Sequence, residues 1–240
     1  MGRGPTIEGR KNVEDSRKAK IFTKLIREIA VAARGGGDLA TNSALRAAVD
    51  KALSANMTKD TIERAVKRGS GAEGADNMSA LRYEGYGPAG VALIIDCMTD
   101  NPQRTVADVR HALNKHGGNL GTTGSVAFQF TRVGELVFAA ADATADNQIF
   151  ELALEAGADD VQNEFGESTV WCAPDQFEAV KKALLGAGLK PLKAAVIMRP
   201  GNYVLVTEDV ADTLRDLLDR LEDLDDVQEV FHNATLPDSE

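Results

Sequence analysis

Residues 83–130 read YEGYGPAGVALIIDCMTDNPQRTVADVRHALNKHGGNLGTTGSVAFQF, and the division of this stretch into elements decides the fold. Residues 90–97 form an apolar run of aliphatic and β-branched side chains, long enough for a buried strand and too short to span a bilayer. Asn101 is placed to cap a helix with Pro102 at its first position, where the missing N–H costs nothing. Within that helix Val106, Val109, Ala112 and Leu113 recur at helical spacing, and Gly117 and Gly118 supply the positive φ that ends it. A second strand is expected toward Phe130. A β-α-β unit of this length leaves its sheet incomplete, so the missing part must come from elsewhere in the chain.

Downstream, a strand at 135–140 and a helix at 145–156 are followed by the strand-like runs DDVQNEF and STVWCA about a turn at Gly166 and Glu167. Pro174 opens a further helix with Phe177, Val180, Ala183 and Leu184 inward, and residues 189–198 return as a strand. This β-α-β-β-α-β order is a complete ferredoxin-like unit of the split type. A helix over 208–224, with Val210, Leu214, Leu217, Leu218 and Leu221 on one face, and a strand over 227–232 have no sheet of their own. They complete the β-α-β of 83–130, with an added strand at 203–206.

The first part of the chain has a different character. Residues 1–17 carry no apolar period and are expected to be an arm. Over 17–34 a helix places Phe22, Leu25, Ile26, Ile29 and Ala33 on one side and Arg17, Lys20, Lys24, Arg27 and Arg34 on the other. Gly35 to Gly37 stop it. Thr41 or Asn42 starts a second helix with Leu45, Ala48, Val49, Ala52 and Leu53 inward, and Thr58 caps a third that closes at Gly69. The expected fold class is therefore α+β in three domains: an N-terminal helical bundle with its arm and linker (1–78), a discontinuous ferredoxin-like domain (79–131 and 201–240), and a second ferredoxin-like domain inserted into it (132–200).

With 43% hydrophobic residues and no long apolar segment, the composition describes a soluble chain. It has no signal-peptide pattern, and its two cysteines, Cys97 and Cys172, lie in apolar runs without metal spacing. A cytoplasmic protein is expected, with no membrane segment. The net charge of −10 hides a strong asymmetry. Residues 1–70 hold fifteen Lys and Arg against eight Asp and Glu, whereas the remainder holds twelve against twenty-nine. Such polarity suits a polyanion at one end and its repulsion at the other.

Nucleic acid is accordingly the expected partner, with phosphates held by Arg10, Lys11, Arg17, Lys18, Lys20, Lys24, Arg27 and Arg34; contacts of this kind give affinity and salt dependence but no sequence preference. Two loops are further candidates for contact with RNA or a partner. TDNPQRT at 99–105 joins a strand to a helix N-terminus and carries Asn101 and Arg104, which could hold an anion or only build an Asx turn and cap. GGNLGTTGS at 117–125 carries Asn119, Gly121, Thr122 and Gly124. It lacks the Lys-Ser/Thr of a nucleotide-binding P-loop and precedes a strand, so nucleotide hydrolysis is not expected. His111, His116 and His232 show no ligand spacing, and Asp219, Glu222, Asp223, Asp225 and Asp226 form an acidic cluster of the kind that is usually a solvated face, with Mg²⁺ binding or repulsion of misplaced nucleic acid as lesser options. No metal site, cofactor fingerprint or catalytic constellation is recognised, and the chain is not expected to be an enzyme.

KIFTKLIREI at 20–29, RYEGYGPAGVA at 82–92, TDNPQRTVADVRHALNKHGGNLGTTGSVAF at 99–128 and DDVQEVFHN at 225–233 together resemble the YebC-type family. The resemblance implies an N-terminal helical domain and two α/β domains. It also implies a regulatory role, since relatives include transcriptional regulators and the mitochondrial translational activator of cytochrome oxidase. Two versions follow: a DNA-binding transcriptional regulator, or a ribosome-associated factor that contacts ribosomal RNA or a tRNA end and assists synthesis of difficult sequences such as proline runs. A small-ligand sensor between ferredoxin-like domains is the third class. Many members begin Gly-His-Ser-Lys-Trp, whereas this chain begins with Gly2, Arg3, Gly4, Pro5 and Thr6, so no aromatic contact from the arm carries over.

Overall fold

The structure is a computed structural model that describes residues 7–71, 78–139, 143–164 and 166–237, without the side chains of 7–17 and 143–145. Three helices come first: α1 (Ile7–Ala33), α2 (Ser43–Ser54) and α3 (Lys59–Gly69). Asn42 rather than Thr41 caps α2, its side chain accepting from Leu45 N at 3.0 Å, and Thr58 caps α3 by accepting from Thr61 N. Most of the apolar face read from the sequence forms the bundle core, where Leu25, Ile29 and Ala33 of α1 pack with Leu45, Ala48, Val49 and Ala52 of α2 and Ile62 and Ala65 of α3; Leu53, expected inward, is exposed at the last turn of α2. Helices α1 and α3 cross at Gly69, where an added Cβ would lie 2.2 Å from Ala30 O. Only glycine permits this approach.

Helix α1 begins at Ile7, so much of the arm expected over 1–17 is helical. Arg10, Lys11, Glu14 and Arg17 are good helix formers, and a helix anchored by its later turns extends backward without an apolar period.

The opening stretch divides differently from its sequence reading. Strand β1 (Ser79–Tyr86) pairs antiparallel with β2 (Ala92–Thr99). β1 is absent from the sequence-based reading because Glu84 and Gly85 interrupt its alternation. Helix α4 (Pro102–Lys115) follows, capped by Asn101 through Arg104 N at 3.1 Å. The second strand expected near Phe130 is replaced by the two-residue β3 (Asn119–Leu120), which pairs with Tyr86 and Gly85. Gly118 makes this possible: a Cβ there would stand 2.3 Å from Tyr86 O, so the chain joins the sheet directly after the helix. Phe130 instead opens β4 (Phe130–Ala139).

After β4 come α5 (Ala143–Glu155), β5 (Asp160–Glu164), β6 (Glu167–Cys172), α6 (Phe177–Gly186) and β7 (Lys193–Pro200). They form an antiparallel sheet in the order β5-β6-β4-β7, whose inner face and two helices bury Leu136, Phe138, Ile149, Val170, Val180 and Leu184. α6 starts at Phe177, not at Pro174, because residues 174–176 form a turn.

The chain then continues through β8 (Val204–Leu205), α7 (Glu208–Glu222), β9 (Val227–His232) and β10 (Ala234–Thr235). β9 pairs with β2 and completes a sheet in the order β3-β1-β2-β9. Leu214, Leu217 and Leu221 of α7 join Leu93, Ile95, Val109 and Leu113 in its core. Each such leucine is fully buried and is worth about 1.5–3 kcal/mol relative to exposure. The segment expected as an added strand at 203–206 does not join this sheet; β8 pairs in parallel with β10 as a separate ribbon. By its contacts the chain divides into two units, residues 1–126 with 204–240, and residues 127–203.

Candidate nucleic-acid interface

The cationic side of α1 lies against the end of α7 and the turn that leads into β9. Lys20 Nζ donates to Asp223 Oδ1, and Lys24 Nζ donates to Gln228 O at 3.5 Å. Arg27 Nη1 donates to Met98 O at 2.9 Å, to Asp225 O at 2.6 Å and to the Asp226 carboxylate. Arg34 Nη1 donates to Met78 O at 2.6 Å. Four of the eight cations predicted to hold phosphates, Lys20, Lys24, Arg27 and Arg34, thus meet oxygen acceptors of the same chain. Burial pulls the Lys24 amine below its usual pKa despite the nearby Glu222 and Glu229, and the bond from Lys20 holds the Asp223 carboxyl below its own.

Asp226 is the centre of this contact. Its side chain is 8% exposed and Arg27 is 16% exposed, so the pair is largely withdrawn from water. Arg104 Nη2 reaches the same carboxylate at 2.9 Å and Thr105 Oγ1 donates to it at 2.8 Å. Burial alone would raise the Asp226 carboxyl, but the bonds from Thr105, Arg104 and Arg27 outweigh it and hold the group below the ordinary value. The TDNPQRT loop is organised around this residue. Asn101 caps α4, Thr99 Oγ1 accepts from Asn101 N at 2.9 Å, and Arg104 also reaches Asp100 at 3.0 Å. An open cavity of about 530 Å³ adjoins it, lined by Arg27, Arg104 and several aspartates. The acidic cluster expected to be a solvated face therefore contains a buried member, and its role is to receive two arginines.

The glycine-rich loop after α4 is also built from within. Glu84, buried on β1, accepts from Gly124 N at 2.7 Å and Val126 N at 2.8 Å, while Gly121 N donates to Glu84 O. A carboxylate thus occupies the amide donors that a phosphate loop would offer to its ligand. Asn119, Thr122 and Gly124 are exposed on this braced loop, and Gly121 is half-buried.

Of the remaining predicted residues, Lys18 is exposed beside the Phe22 ring at 5.5 Å. Arg10, Lys11 and Arg17 lie on α1, and their side chains are outside the described residues. Lys59, Arg64 and Lys67 on α3 present further exposed charge on the bundle. Sequence reasoning missed Glu84 and, for Asp226, saw only a member of a solvated acidic face. An acidic residue directly before an apolar strand, and another inside a strand, are the signals that could have drawn attention to them. Among the described residues no helix is long and apolar enough to cross a membrane.

A basic helical bundle joined to antiparallel α+β sheets, with ion pairs between bundle and sheet, defines a class of mixed α+β protein whose recognisable features are charged surfaces and braced loops. The chain belongs to the TACO1/YebC family: the model of its N-terminal domain matches residues 3–72 and that of its second and third domains matches residues 78–234. A probable transcriptional regulatory protein of Xanthomonas oryzae pv. oryzae is 56% identical over 98% of this chain and 97% of its own length. Another from Stenotrophomonas maltophilia is 54% identical over 98% of each chain. The crystal structure of a conserved hypothetical protein from Aquifex aeolicus is 39% identical, with a TM-score of 0.83 over 94% of this chain and 93% of that one.

Proposed function

We propose that this protein is a non-enzymatic cytoplasmic regulator that binds nucleic acid through its basic N-terminal helices. The observation that carries this reading is the division of charge, fifteen cations against eight anions in residues 1–70 and twelve against twenty-nine thereafter. A polyanion is drawn to the first part and repelled by the rest, which orients the encounter. Relatives named probable transcriptional regulatory proteins favour duplex DNA as the target. Lys18, Lys20, Lys24, Arg27 and Arg34, with Arg10, Lys11 and Arg17, hold backbone phosphates and set affinity rather than sequence. We further infer three domains, in which the helical bundle carries the binding charge and the two α/β domains position it and present the loops at Asn101, Arg104, Asn119, Gly121, Thr122 and Gly124.

Crosslinking in cells followed by sequencing of the bound nucleic acid tests the target. Discrete promoter peaks are expected, whereas enrichment of ribosomal RNA without promoter DNA would move the role to translation. A binding titration of Lys18→Glu/Arg34→Glu tests the surface at two cations that do not meet residues 223–228. The variant should bind about tenfold more weakly and with a shallower salt dependence. Unchanged affinity would place the binding face elsewhere.

A further inference from the structure

The contact between the cationic side of α1 and the turn at 223–226 has the composition of a phosphate-binding interface. Its donors are two lysines and an arginine; its acceptors are the carboxylates of Asp223 and Asp226 and the carbonyls of Asp225 and Gln228. The apolar side of α1 is committed to α2 and α3. The contacts that join α1 to residues 223–228 are ion pairs and hydrogen bonds. An external polyanion can take the place of these acceptors, because each carboxylate that leaves is replaced by a phosphate oxygen of like charge and hydrogen-bonding character.

We propose that the 223–226 turn is an internal phosphate mimic that masks the nucleic-acid-binding side of α1, so that docking of the bundle on the sheet and binding of nucleic acid exclude one another. This rests on the nucleic-acid reading above and adds its regulation. The docked form is the closed state. Binding requires the bundle to separate, and the observed affinity is the intrinsic one scaled by the open fraction. Asp226 sets the closed state most strongly, since it receives Arg27 from the bundle while Arg104 and Thr105 keep it in place.

The test is a tether across the contact in the full-length chain. Lys20 and Asp223 are exposed, with side chains 44% and 58% accessible, so Lys20→Cys/Asp223→Cys should fold. The native Cys97 and Cys172 are 2% and 0% exposed and do not compete for reagent. A short bifunctional thiol reagent joins the new pair, and the same variant capped with a monofunctional reagent is the control. Affinity is measured for random-sequence duplex DNA in one arm and structured ribosomal RNA in the other. The tethered protein should bind the nucleic acid that the control binds at least about tenfold more weakly. Equal binding by tethered and control protein would overturn the masking while leaving nucleic-acid binding intact. Absence of binding by wild type and both treated forms, in both arms, would overturn the functional reading itself and the masking with it.

Discussion

At the scale of single residues, Asp226 connects most of the chain's charge-bearing motifs. It lies in the turn before β9, yet it receives Arg27 from α1 and Arg104 and Thr105 from the start of α4. Removing its charge leaves Arg27 withdrawn from water without a counter-ion. Breaking such a pair from one side is far costlier than the pair itself is worth. Asp226→Asn should therefore lower unfolding stability by about 2–4 kcal/mol in urea titration. The pH dependence carries the same signature. Because the folded carboxyl titrates below its unfolded value, its contribution is complete above the ordinary value of 3.8 and disappears as the pH falls through the folded one. Wild type should lose stability over that acid range more steeply than Asp226→Asn, and parallel acid limbs would refute the assignment. Cys97 shows the opposite behaviour. Burial, with Asp226 and Asp96 nearby, pushes its thiol up to about 12, which fits a structural thiol rather than a nucleophile.

At the scale of elements, two close approaches define the architecture. In the crossing of α1 and α3, Gly69 leaves no space for a methyl group against the Ala30 backbone. Backbone cannot move aside as a side chain can, so Gly69→Ala should separate the helices. The expected cost is about 2–3 kcal/mol by chemical denaturation, with an upper bound set by how far the bundle relaxes. The second is the braced loop after α4, which depends on one carboxylate. Glu84→Gln keeps an acceptor for one of the two amides and removes the charge that strengthens both bonds. Hydrogen exchange at Gly124 and Val126 should accelerate by roughly tenfold, about 1.4 kcal/mol of local stability. Unchanged exchange at both amides would show that the loop is held by other contacts.

At the scale of the whole molecule, the chain passes from the β3-β1-β2-β9 sheet into the unit at 127–203 and returns to finish the first sheet with β9. The inserted unit has its own buried cluster, centred on Leu136, Phe138, Val170 and Leu184. Leu184 is fully buried there. Leu184→Ala should destabilise this unit by about 2–4 kcal/mol. Hydrogen exchange followed by mass spectrometry should show faster exchange in β4 to β7 while α4, α7 and β2 keep their protection. Equal acceleration in both units would mean that they unfold as one.

Much of this was legible in the sequence, for physical reasons that hold residue by residue. Asn42, Thr58 and Asn101 cap helices because a short polar side chain before a helix finds a free N–H within a few positions. β9 spans the residues expected of it because its apolar content is bounded by acidic and amide residues. The polarity of the chain is a property of composition alone. β1 and the early end of the second strand were not legible, since both depend on glycine approaches to backbone that is distant in sequence. The cationic side of α1 marks the limit most clearly. Periodicity determined that Lys20, Lys24, Arg27 and Arg34 lie opposite the apolar face, because a helix has a fixed turn. Only the tertiary structure decided what lies across from them: Asp226 stands 199 positions from Arg27, and no local rule reaches that far.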